Sequence, residues 1–110
     1  MTIFKKTCDE CAEEFTSKKR EARFCCTACR KTYNNRRAVR GAELYDLMMA
    51  CRYDRDFAYS HKLPSLMARR CSEWRDADVA RDNGTRSWQR PIEWMRDNGA
   101  RLRSIVCRIR

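Results

Sequence analysis

Apolar positions are spread unevenly along this chain, and their spacing changes at Thr27. Before it, short polar stretches alternate with cysteine pairs, with neither Gly nor Pro and no sustained helical stripe. That pattern predicts a knuckle and a short hairpin, with residues 17–21, "SKKRE", at the tip. From Thr27, whose hydroxyl can cap a helix, "ACRKTYNNRRAVR" supplies helix formers for about three turns, with Tyr33 turned inward and Asn34 and Asn35 as weak points. A second helix is expected over roughly 41–58, where Leu44, Leu47, Met48, Cys51 and Ala58 keep one stripe. Pro64 disfavours helix at the residue before it and suits the first turn of a third helix, whose face is Leu63, Met67, Cys71 and Trp74. That helix should run to about residue 82, where Asn83-Gly84 closes it in the left-handed conformation. "DNGTRSWQRP" is the clearest loop. Pro91 then opens a short helix through Met95, which a second "DNG" at 97–99 ends. In the tail, Leu102, Val106 and Ile109 fit a helix while Ile105, Cys107 and Ile109 alternate as in a strand; helix is the expectation.

Composition sharpens this picture of helices behind a polar N-terminal third. Charged residues make up 36% of the 110 residues and apolar ones 43%, with a mean hydropathy of -0.85. The apolar side chains must therefore concentrate on a few helical faces, and the first third needs some other source of cohesion. Eight cysteines can supply it. The start, "MTIFKKTCDECAEEF", has no apolar run of signal-peptide length, and no later run approaches a membrane span. A reducing, cytoplasmic location without a membrane partner is the expectation, and there cysteines bind metals or stay free rather than pair as disulfides.

Cys8-x2-Cys11, a thirteen-residue interval and Cys25-x3-Cys29 offer four soft ligands in two pairs, the donor set of a closed tetrahedral Zn²⁺ site. Cys26-x2-Cys29 is an equally common spacing, so the third ligand is Cys25 or Cys26. One structural Zn²⁺ there would contribute on the order of 10–16 kcal/mol of apparent binding energy, more than the scant apolar surface of this third can. Cys51, Cys71 and Cys107 fit the apolar stripes and read as small buried side chains.

"CDECAEEF…RFCCTACRKTYNNRR" resembles the treble-clef zinc fingers of small bacterial and phage proteins, which read C-x2-C-G-x-x-F and then [RK]-[FY]-C-S-x-x-C-R. Phe15, Phe24, Cys25, Cys29 and Arg30 fall on matching positions. Cys26 falls where the family usually has Ser, so the resemblance selects Cys25, and Ala12 replaces the usual knuckle Gly. The resemblance covers residues 6–38. It implies a small α+β, mostly α fold: a treble-clef finger of short hairpin plus helix over 1–40, and a small helical bundle over 41–110 packed on it or closely joined to it. Later stretches such as "RRAVRGAELYDLMMACRYDR" are reminiscent of uncharacterised prophage or α-proteobacterial proteins, which points to a phage or mobile-element setting and to no activity.

No catalytic set is legible. Nucleases built on this finger type use a histidine base, and residues 1–40 contain no His; the single His61 lies outside any motif. Asp54, Asp56, Asp76 and Asp78 read as solvated helix-end charges. The net charge of +10 favours an anionic partner. Lys18, Lys19, Arg20 and Arg23 with Arg30, Lys31, Asn34, Asn35, Arg37 and Arg40 can form one basic surface for phosphates, with Asn and Arg suited to base edges. Arg86, Trp88 and Arg90 form a second candidate surface unless Trp88 folds onto Trp74 and Trp94. The expectation is a non-enzymatic protein that binds DNA or RNA or regulates it. The alternative is an adaptor or inhibitor that grips another protein while the zinc finger is only structural.

Overall fold

The computed structural model describes residues 2–81 and 83–109, with side chains through residue 99 and at Arg101. Two short strands, β1 (Phe4–Thr7) and β2 (Glu14–Ser17), pair antiparallel with Lys6 opposite Phe15. Four helices follow: α1 (Thr27–Tyr53), α2 (Arg55–Ser60), α3 (Leu63–Ala80) and α4 (Pro91–Ile109). The chain is thus mostly helical with one hairpin. The hairpin turns through the Cys8–Cys11 knuckle, and "SKKRE" starts at the last residue of β2 and leads away from it instead of forming a tip. Alternation along β1 and β2 half-buries Phe4, Lys6, Phe15 and Ser17.

Helix α1 runs through the weak points expected at Asn34 and Asn35 and through Gly41, the expected start of a second helix. Asn34, Asn35 and Gly41 all lie inside one helix of 27 residues. Each costs under about 1 kcal/mol in a helix interior, a penalty that flanking Arg, Ala and Leu offset by propagating the turn. The expected division after residue 40 therefore falls within a continuous helix. Its N-cap is Cys26 and makes no side-chain cap hydrogen bond, so Thr27 is the first helical residue and not the cap. Tyr33 is turned inward as expected, 3% exposed, with its ring 5.1 Å from that of Phe24.

The helix expected over 41–58 breaks at Asp54, whose carboxylate accepts from the Phe57 N–H at 3.4 Å and caps α2. Lys62 then takes the left-handed conformation, φ 57°, and places Pro64 in the first turn of α3. Past α3, Gly84 adopts φ 61°, the conformation that Gly takes most readily, and its N–H donates to the Arg81 carbonyl at 3.0 Å. The second "DNG" behaves differently: α4 runs through Asp97, Asn98 and Gly99 to Ile109, which makes the tail helical. The Asn98 amide donates to the Trp94 carbonyl one turn back, at 3.0 Å, so the polar side chain is satisfied inside the helix.

α1 packs against α2 and α3, and α2 against α3. Among the described residues the fully buried apolar side chains are only Cys8, Tyr33 and Ala58. Cys51 is half-buried beside Met67, whereas Cys71 is exposed; the Cys107 side chain lies outside the described residues. Asp78, expected in solvent, is 2% exposed. Its carboxylate accepts from the Ser87 N–H at 2.9 Å, the Ser87 hydroxyl at 3.1 Å and Arg40 at 3.0 Å, which offsets the cost of burying the charge.

Candidate metal centre

The knuckle is closed by backbone hydrogen bonds before any metal is considered. The Cys8 N–H donates to the Glu13 carbonyl at 2.9 Å, and the Ala12 N–H returns to the Cys8 carbonyl at 3.0 Å. Ala12 sits at φ 64°, so it takes the left-handed backbone for which Gly is better suited. The Asp9 N–H donates to the Arg23 carbonyl at 2.9 Å and the Arg23 guanidinium to the Asp9 carboxylate at 2.7 Å, drawing the segment before Cys25 against the knuckle. Arg23 also donates to the Tyr33 hydroxyl at 3.1 Å. Cys25 then precedes α1, and Cys29 lies in its first turn.

These ties gather Cys8, Cys11, Cys25 and Cys29 with all four Sγ atoms within 4.8 Å of one another. Cys25 Sγ lies 3.6 Å from Cys11 Sγ and 3.7 Å from Cys29 Sγ. Zn–S bonds of about 2.3 Å in a regular tetrahedron set S···S edges of about 3.8 Å, which the two Cys25 separations match. The group can hold a metal ion such as zinc. Cys26 Sγ is 3.8 Å from Cys25 Sγ but lies outside the four-sulfur group.

The acidities of the thiols conflict with one another. Burial raises the Cys8 pKa, but the backbone N–H groups of Cys11, Cys25 and Glu10 outweigh it and bring it down to about 7. Cys25 is pushed up to about 12, chiefly by its contact with the Cys11 thiol, and Cys29 is raised chiefly by Cys25. Four packed sulfurs cannot all carry charge unaided; a divalent cation at their centre removes the conflict.

Within the knuckle, Glu10 reaches away from the sulfurs. Its carboxylate receives both ends of the Arg36 guanidinium and, at 3.1 Å, Arg81. Its carbonyl accepts from the Asn83 amide at 2.8 Å and the Thr85 hydroxyl at 3.0 Å. The hydrogen bond from Arg36 is the main reason that the Glu10 pKa falls below its ordinary value. The knuckle is thus tied to the far loop between α3 and α4.

Comparison with family models, with curated proteins and with solved structures returns no match.

The ten residues expected to form one basic surface divide into two groups. Lys18, Lys19, Arg20, Arg30, Lys31, Asn34 and Asn35 are exposed. Arg23, Arg37 and Arg40 are engaged within the molecule: Arg23 by Asp9, Arg37 by the Ser87 carbonyl at 2.6 Å, and Arg40 by Asp78. In the loop, Arg86 donates to the Trp88 carbonyl at 3.0 Å and lies 3.5 Å from Glu93, while Arg90 is exposed. Trp88 is 49% exposed, so it is not folded away into a core.

Sequence reasoning missed Glu10, Arg36, Asp78, Arg81 and Ser87, which join the finger to the rest. A signal existed for Asp78 alone. It continues the stripe Leu63, Met67, Cys71 and Trp74 at helical spacing, and a carboxylate on an apolar stripe calls for a buried cationic partner. Among the described residues, no helix is long and apolar enough to cross a membrane.

Proposed function

We propose that this protein is a non-enzymatic, treble-clef-type zinc-finger protein that binds nucleic acid, with one structural Zn²⁺ on Cys8, Cys11, Cys25 and Cys29. The observation that carries the reading is the state of the finger's exposed cations. Lys18, Lys19, Arg20, Arg30 and Lys31 have no carboxylate partner among the described residues, although nine ion pairs form among those residues, two of them within the finger. Cations left to solvent at one end of a basic chain attract phosphates by releasing condensed counterions. Asn34 and Asn35, one turn further along α1, are available to base edges.

The test is a salt-titrated binding assay with DNA and RNA. Replacing Lys18, Lys19, Arg30 and Lys31 together by Ala should lower affinity and flatten the salt slope by up to about four, one per lost phosphate contact, with no loss of metal. An unchanged slope in that variant sinks the reading.

One observation favours protein contact as a second reading. Tyr45, Met48, Met49 and Tyr53 are exposed at helical spacing along α1, and Phe57 and Tyr59 of α2 are exposed as well. A protein partner recovered after nuclease treatment, and lost on Tyr45→Ser with Met49→Ser, would support it.

A further inference from the structure

Beneath Trp88 lies a cleft of about 530 Å³ between α1, α3 and the Ser87–Trp88 segment. Its volume is in the range of pockets that hold small ligands. Leu44 and the indoles of Trp74 and Trp88 give it an apolar lining, Arg37, Arg40 and Arg75 provide cations, and no carboxylate lines it. Arg40 is neutralised by Asp78, whereas Arg37 donates to a neutral carbonyl and lies over the Tyr33 ring at 5.5 Å, with no carboxylate partner among the described residues. Arg75 has only an exposed neighbour, Asp76, at 3.9 Å.

The segment that carries Trp88 is fixed in advance. Ser87, 3% exposed, is held through its N–H and hydroxyl by Asp78 of α3 and through its carbonyl by Arg37 of α1. The Trp88 carbonyl is held by Arg86, whose guanidinium lies 5.9 Å from the centre of the indole ring. A half-exposed indole on so constrained a backbone loses little freedom when a flat ligand stacks on it.

We propose that this cleft receives one unstacked base of a single-stranded nucleic acid, with Trp88 as the aromatic wall on which it stacks, Trp74, which carries the Arg40 and Arg70 guanidinium groups over its ring, closing the far side, and Arg37 and Arg75 meeting the adjoining phosphates. The proposal rests on the nucleic-acid reading above and specifies it further, because aromatic walls are of use only for a base free of its duplex. The apolar lining suits the ring, and cations without carboxylates suit the anionic backbone on either side.

The full chain loaded with zinc should be titrated with short oligo-dT, oligo-U and a mixed-sequence duplex, following tryptophan fluorescence and anisotropy together. Single strands should bind more tightly than duplex and quench the tryptophans, and the two homopolymers report whether DNA or RNA is preferred. Trp88→Ala should weaken single-strand binding about 5- to 150-fold, the loss expected from one stacked base, while leaving duplex affinity unchanged. Trp88→Phe should retain most of it. If Trp88→Ala has no effect, or weakens duplex and single strand equally, the cleft is not a base site although the finger still binds nucleic acid. If the unmodified chain binds no nucleic acid at low salt, this proposal and the reading beneath it both fall.

Discussion

Glu10 sits between two of the grouped cysteines and yet is committed to Arg36 and Arg81, with a side chain 14% exposed. Because its folded pKa is depressed, it contributes stability that is complete above the ordinary carboxylate value of 4.5 and is lost as pH falls through the lower folded value. Glu10→Gln should therefore destabilise the chain at pH 7 by roughly 1.5–3 kcal/mol, the worth of hydrogen bonds to a charged group. Denaturant melts across pH would check it, and the gap between variant and parent should close in acid. The cysteines make a sharper contrast. Cys8→Ser should lower bound zinc from about one per chain toward none, whereas Cys26→Ser, outside the four-sulfur group, should leave it unchanged by metal analysis.

At the scale of elements, the strongest expectations were those that rest on one residue with one conformational consequence. Pro64 near the start of α3 and Gly84 in the left-handed turn are such cases, as are the cysteine pairs, whose spacing marks the candidate ligands while leaving Cys25 and Cys26 as alternatives. Expectations built on weak helix breakers failed. Asn34, Asn35, Gly41 and Gly99 each have a small cost, and whether a helix stops there depends on packing and propagation that no local pattern displays. The long-range ties were illegible for a related reason: nothing in a charge pattern says which Arg, among several on α1, faces Glu10, Ser87 or Asp78. Gly41 also offers a direct measurement. A Cβ there would meet nothing within 4 Å, so Gly41→Ala should stabilise α1 by about 1 kcal/mol in thermal or denaturant melts, without altering metal content.

Across the whole molecule, cohesion comes more from polar ties than from an apolar interior. The radius of gyration is 17.6 Å, against about 13 Å for a compact chain of this length. The accessible surface is 9016 Å², against about 6,400 Å² for a compact monomer of this mass. Metal removal should consequently be felt beyond the cysteines. Chelation should open residues 1–38 to proteolysis, and through Glu10 it should also loosen the loop that carries Trp88, seen as a change in tryptophan emission and new cleavage between residues 83 and 90. A change confined to the first 40 residues would show that the Glu10 ties transmit nothing. Those same ties bear on modularity. Zinc fingers are often treated as beads that can be cut from one chain and strung on another, but here the knuckle uses a carboxylate and a carbonyl to hold residues more than seventy positions away. Transplanted alone, it would carry an orphaned acid and half of a 27-residue helix into its new host.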